Sequence, residues 1–277
     1  MPGSCSMMGD DTMTRSPQTE IIDCRLRDHS EGPRRLGAIL LSTDQVFETD
    51  AARLLDRDRT ALHVARIGFE NPTTPERLRA MAPDLSRTAG LLVPGAELSA
   101  VAFACTSASV TIGNVAVADA IHTSLPGVPV VTPSFAALAG LAALGTGRVA
   151  LLTPYLPETT EPMADYLAGQ GLDIIRSACF ALEDDRDMAR IDDHSMIEAA
   201  CALDGPEVDA LFLSCTAMRG VDVIDRIEAR LGKPVVTSNQ ALCWALGRMA
   251  GLDGRPKGFG RLFDCALPTD FARGIGP

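Results

Sequence analysis

The chain of 277 residues has no cluster of Lys and Arg, and its formal net charge is −11. A phosphate backbone would be repelled, so nucleic acid is not an expected partner. No apolar run approaches the roughly 20 residues that a membrane-spanning helix needs. The stretch from Met1 to Arg15 has neither the basic start nor the apolar centre of a signal peptide. No membrane association and a cytoplasmic location are expected. The eight cysteines form no Cys-x-x-Cys pair, which argues against a disulfide framework or a zinc ribbon. His29, His63, His122 and His194 lack ligand spacing, and no metal is expected. A nucleotide loop is missing as well. Gly140, Gly145 and Gly147 close a helix and open a strand, the reverse of a dinucleotide fingerprint, and read as a helix C-cap.

What remains is an ordinary globular composition, 46% hydrophobic and 22% charged, long enough for two domains of about 100–150 residues. Residues 1–32 are rich in Ser, Thr, Asp and Gly and are expected to be a flexible leader, with Met7, Met8 and Met13 as further candidate starts. Beyond Pro33, strands and helices alternate. Strands are expected at 35–41, 61–67, 101–104 and 128–131, with helices at 46–58, 74–88 and 107–125. The order then repeats: strands at 148–152, 173–178, 210–213 and 234–236, helices at 158–170, 194–204, 221–231 and 239–250, and an irregular tail.

Spacing supports a duplication. Arg35 lies 70 residues before Cys105, and Arg148 lies 67 before Cys215; Gly127 to Ser134 parallels Gly232 to Asn239. The expected fold is α/β: two similar parallel-sheet domains, Rossmann-like or flavodoxin-like, related by a pseudo-twofold axis. The first would comprise 33–133 with 238–277, the second 134–237. In such sheets ligands bind beyond the C-terminal strand ends. Ala104-Cys105-Thr106-Ser107 and Ser214-Cys215-Thr216 both lie at such ends, so an interdomain cleft would bring the two thiols together. A thiolate at the first turn of a helix is stabilised by unpaired amides. Thr106 and Ser107 could cap those amides, or leave them free for a substrate carboxylate. Thr132 and Thr216 would line the cleft by position. Cys5, Cys24, Cys179, Cys201, Cys243 and Cys265 have no such context and read as small structural residues.

Several motifs together resemble one family. They are Ser42-Thr43-Asp44 with Glu48, the two Cys-Thr segments, Thr153-Pro154-Tyr155, Leu182-Glu183-Asp184-Asp185, and Ser238-Asn239-Gln240-Ala241 ending at Trp244. From about Arg34 to Gly251 the chain resembles the aspartate/glutamate racemase superfamily, its maleate cis-trans isomerase branch, and most of all the ectoine-utilisation (EutA) group. The resemblance implies catalysis without a cofactor by Cys105 and Cys215. In racemases of this kind one Cys removes a proton and the other returns one. In maleate isomerases the first Cys adds to the alkene. Arylmalonate decarboxylases have Gly at the first position, and the presence of Cys105 disfavours that activity. Tyr155 matches a substrate-binding Tyr, and homo-oligomers, dimers or tetramers, are implied.

Two positions depart from the maleate isomerase pattern. Asp44 stands where that branch has Asn, and Asp185, with Asp184 adjacent, stands where it has Asn after Asp. Two carboxylates would repel maleate but suit a cationic, N–H-bearing group. The expected function is therefore a two-cysteine racemase, epimerase or isomerase of a small cationic carboxylate, as in ectoine or hydroxyectoine breakdown. The substrate-binding set would be Asp44, Thr106, Ser107, Thr132, Tyr155, Asp185 and Thr216. Maleate isomerisation by thiol addition is the alternative within enzymes, and a non-catalytic bilobed ligand-binding protein the alternative outside them.

Overall fold

Arg34–Leu41 forms the first strand, β1, and six of its eight residues are buried. It is central in a parallel sheet with β2 (Thr60–Ile67), β3 (Ala100–Ala104) and β4 (Val130–Val131), in the order β2-β1-β3-β4. A second parallel sheet repeats this order with β5 (Arg148–Thr153), β6 (Asp173–Cys179), β7 (Ala210–Leu213) and β8 (Val235–Thr237), as β6-β5-β7-β8. The structure, a computed structural model, describes residues 19–28 and 32–275. Residues 19–28 form no helix or strand. The leader expected over 1–32 thus lies largely outside the described residues, as do Cys5, His29, Met7, Met8 and Met13.

Both sheets turn one face toward a shared core. Leu36, Ala38 and Leu40 of β1 join Val149 and Leu151 of β5 and Phe212 of β7 there. Between them lie α6 (Pro133–Ala143) and α11 (Ser238–Met249). Every residue of α11 from Ser238 to Gly247 is buried, as befits a helix enclosed on all sides. Its start is closed by a capping box in which Thr237 and Gln240 exchange hydrogen bonds with each other's backbone amides. Separate apolar clusters cover the outer faces, Ile39, Val101 and Phe103 on the first sheet and Ala150, Leu152 and Leu211 on the second.

The strands lie where expected to within two residues, whereas several helices do not. The helix expected over 74–88 is broken at Pro83 into α2 (Pro75–Ala80), a 3-10 turn (Ala82–Asp84) and α3 (Leu85–Ala89). The helix expected over 107–125 is two helices, α4 (Thr106–Ile112) and α5 (Asn114–Ser124). They part at Gly113, whose φ of 97° lies in the region open to glycine. The helix expected from Val221 begins as a 3-10 turn (Gly220–Val223) before α10 (Ile224–Leu231). The remaining helices are α1 (Phe47–Leu54), α7 (Pro157–Gly169), the short α8 (Asp185–Met188) and α9 (Asp193–Ala202). The tail holds two 3-10 turns, and Ile275 bridges antiparallel to Val130.

Candidate active site

Each sheet places two loops side by side at its C-terminal edge. Leu40 pairs with Ala104, so Ser42–Asp44 leaves β1 beside Cys105; Leu152 pairs with Leu213, so Pro154-Tyr155 leaves β5 beside Cys215. In the order 2-1-3-4 this is the point where successive connections diverge, the usual place for a ligand in such sheets. The two edges are tied to each other. Thr216 donates its hydroxyl to the carbonyl of Ala104 at 3.2 Å. The two sulfurs are near enough that a charge on Cys105 opposes ionisation of Cys215, and a charge on either opposes ionisation of Tyr155. The duplicated Cys-Thr segments thus meet in one place.

Cys105 and Cys215 are only 4% and 5% exposed. Cys105 is the N-cap residue of α4, with extended backbone, and its sulfur lies 3.6 Å from the Ser107 hydroxyl. Cys215 is not at a helix start. It sits in a turn, where the Ala217 amide donates to its sulfur at 3.2 Å. Low thiol pKa values, expected from helix amides, are not what this environment produces. Burial pushes Cys105 up to about 12, against the help of Ala108 and Ser107. Cys215 is likewise raised, first by burial and then by Asp185, although Tyr155 and Ala217 pull it down. One or two donors do not offset the loss of water around a thiolate. Tyr155, fully buried, is raised well above its usual value, first by burial and then by the two sulfurs.

The acidic residues divide into three situations. Asp185 is buried and points inward, accepting the Thr43 hydroxyl at 2.6 Å and the Thr73 hydroxyl at 3.3 Å. Burial raises its pKa, and the two threonines oppose that rise. Asp184 points outward. It caps α8, pairs with Arg186 and accepts from Asn71, and the Arg186 hydrogen bonds hold it down at about 2. Asp44 is buried beside Asp185, and burial lifts it to about 6. Its Oδ1 accepts the amides of Val46 and Phe47 at 3.0 and 2.9 Å, so that oxygen closes the start of α1.

The hydroxyl residues also separate. Ser107 faces the Cys105 sulfur, and Thr106 donates to Ser238 at 2.8 Å. No side chain caps α4, which leaves its first amides uncommitted to side chains. Thr216 joins the two edges as described. Thr132 is directed elsewhere: it donates to Asn114 at 2.6 Å and caps α6. Four residues absent from the expected set complete the surroundings. Thr43 and Thr73 hold Asp185, while Asp50 and Asn239 form a buried pair behind Cys215. Of these, Thr43 and Asn239 stood inside recognisable motifs; Asp50 and Thr73 gave no signal.

A family profile described as arylmalonate decarboxylase matches residues 84–263, about two thirds of the chain. The chain belongs to the arylmalonate decarboxylase family. Within it, the chain is 37% identical over 141 residues to the arylmalonate decarboxylase of Bordetella bronchiseptica, an alignment that spans 59% of that protein and 50% of this one. It is 30% identical over 242 residues to the maleate isomerase of Nocardia farcinica, covering 96% of that protein and 83% of this chain. A solved structure of a Nocardia farcinica maleate cis-trans isomerase variant, Cys replaced by Ser, carries a covalently bound succinylcysteine intermediate. It superimposes with a TM-score of 0.77 at 27% identity, covering 84% of this chain and 98% of that one. This family member is an isomerase-type enzyme in the maleate isomerase branch of the Asp/Glu racemase-like superfamily. Among the described residues no helix is long and apolar enough to cross a membrane.

Proposed function

We propose that the protein is a cofactor-independent racemase or epimerase that moves a proton between Cys105 and Cys215 across one carbon of a small, cationic carboxylate. The observation that carries this reading is the pair of buried carboxylates, Asp44 and Asp185: both oppose ionisation of Cys105, and Asp185 opposes that of Cys215 as well. A second anion such as a dicarboxylate would add to that repulsion. A substrate cation would relieve it and bring the thiol pKa values down when it binds. The substrate's carboxylate is taken by the uncapped amides of Thr106 and Ser107. As a thiolate, Cys105 takes the proton from the carboxylate-bearing carbon and becomes a thiol. Cys215, as a thiol, delivers its proton to the opposite face and becomes a thiolate. Tyr155 hydrogen-bonds the enolate-like intermediate. Ectoine and hydroxyectoine, cyclic amidinium carboxylates, are the substrate class this reading favours, in a cytoplasmic homo-oligomer.

The test is exchange of the substrate's α-hydrogen in deuterium oxide. Wash-in with the wild type, lost in Cys105→Ala and in Cys215→Ala, is the expected result. No wash-in on any candidate amino acid or on ectoine, with maleate converted, would replace this reading by cis-trans isomerisation.

That second reading is favoured by similarity along nearly the whole length of a maleate isomerase. In it Cys105 adds to the alkene, the central bond rotates, and elimination restores the thiolate. Maleate treatment would then leave a succinyl mass on Cys105 that Cys105→Ala abolishes.

A further inference from the structure

We infer that Asp50 and Asn239 are positioning residues that set the spacing of the two thiols through one hydrogen-bonded chain running from α1 to the residue before Cys105. The inference rests on the proposed reaction at Cys105 and Cys215. The chain has three links. Asn239 Nδ2 donates to Asp50 Oδ2 at 2.8 Å. The same nitrogen donates to the carbonyl of Thr216, next to Cys215, at 2.9 Å. The Thr216 hydroxyl then donates to the carbonyl of Ala104, next to Cys105, at 3.2 Å.

Four separate elements therefore meet in this chain: α1, the first turn of α11, the Cys215 turn and the end of β3. Both partners of the Asn239 amide nitrogen are acceptors only, so the side chain has a single orientation. Its Oδ1 is consequently buried with no hydrogen-bond partner. Asp50 is 3% exposed, an expensive place for a carboxylate. Leu at both positions would fill the space without stranding a carbonyl oxygen or burying a charge. What Leu could not do is hold the Thr216 carbonyl.

The first direct neighbours of Asp50 fit a holding role. Arg53 lies 3.8 Å away on the same helix but is itself committed to Asp222 at 2.5 Å. Asn239 is thus the partner that carries Asp50's effect toward the site. Loss of either residue frees the Cys215 turn to drift relative to Cys105, and proton transfer across one carbon is steeply sensitive to such drift.

Two measurements on the full chain test this, with Asn239→Leu and Asp50→Asn. The first is kcat and KM for α-deuterium exchange. The second needs no substrate: the ratio of iodoacetamide alkylation at Cys215 to that at Cys105, read by peptide mass spectrometry. Asn239→Leu is expected to lower kcat about 10- to 100-fold with KM within about twofold, and to change the alkylation ratio by about threefold or more. Asp50→Asn, which keeps an acceptor but loses the charge, is expected to fall between it and the wild type. A folded Asn239→Leu protein with wild-type kcat and wild-type ratio would overturn the inference. A wild type that exchanges no substrate would remove the proposed reaction alone, since the alkylation ratio still decides the positioning. Should Asn239→Leu fail to fold, an unchanged ratio in Asp50→Asn would overturn it equally.

Discussion

Asp185 accepts the hydroxyl of Thr43 at 2.6 Å, joining the loop after β1 to the start of α8, 142 residues later in the chain. Thr73 adds a second hydroxyl from the loop before α2. One buried carboxylate is thus clasped by two loops of the first sheet while its charge acts on both thiols.

Removing that charge should ease ionisation at the cysteines. Asp185 raises Cys215 more than any cause but burial. Asp185→Asn is expected to move the onset of Cys215 alkylation to lower pH. Alkylation rates measured across a pH series check this, and an unchanged or upward shift would contradict it.

The clasp also has a structural share. Asp185→Ala takes the partner from the half-buried Thr43 hydroxyl and leaves the buried Thr73 hydroxyl to Asn71 alone, and is expected to cost about 1–3 kcal/mol. Thr43→Val should cost less, because Thr73 still serves the carboxylate. Urea denaturation midpoints of the two variants give the comparison.

Stability should rise as the solution is made mildly acidic. Asp44 and Asp50 are lifted by burial from 3.8 to about 6. Between those values the folded chain holds protons that the unfolded chain has released, so stability falls as pH rises through the window. Each group costs up to about 2–3 kcal/mol above pH 6, relieved as pH drops. Asp184 works in the opposite sense, its contribution vanishing as pH falls below about 4 toward its depressed value of about 2. Denaturation midpoints from pH 7.5 down to 4.5 should therefore climb, and Asp50→Asn should flatten the climb.

The break between α4 and α5 can be tested on its own. Gly113 has φ 97° and ψ 132°, with nothing near an added Cβ, so strain is the whole effect of a substitution. Gly113→Ala is expected to cost about 1–3 kcal/mol, again by denaturation. A neutral result would mean the two helices can join.

Much of this arrangement is legible in the chain because it depends on local pattern. Apolar runs of four to eight residues mark the strands, and the matched spacing of the Cys-Thr segments predicts that both thiols lie at equivalent strand ends. The helix breaks are less legible. Gly113 sits inside an otherwise continuous helical pattern, and only its backbone angle shows that it divides two helices. The choice between Asp184 and Asp185 turns on which side of a one-turn helix faces Thr43, a tertiary fact. Asp50 reads as an ordinary first-turn acid of α1, and its burial arises only when α11 packs over it. The high thiol pKa values have the same origin. A Cys at a helix start suggests an activated nucleophile, but the surrounding shell excludes water more effectively than the amides compensate.

The helices α6 and α11 occupy a single interior to which both sheets contribute, with Trp244, Phe212 and Leu36 all fully enclosed there. Prising the sheets apart like jaws would hydrate that whole interior. Admission of a molecule to Cys105 must therefore be a matter of small excursions in the segments at the strand tips, such as 42–46 and 215–219. Swapping those segments between relatives should retune substrate choice while leaving the frame intact.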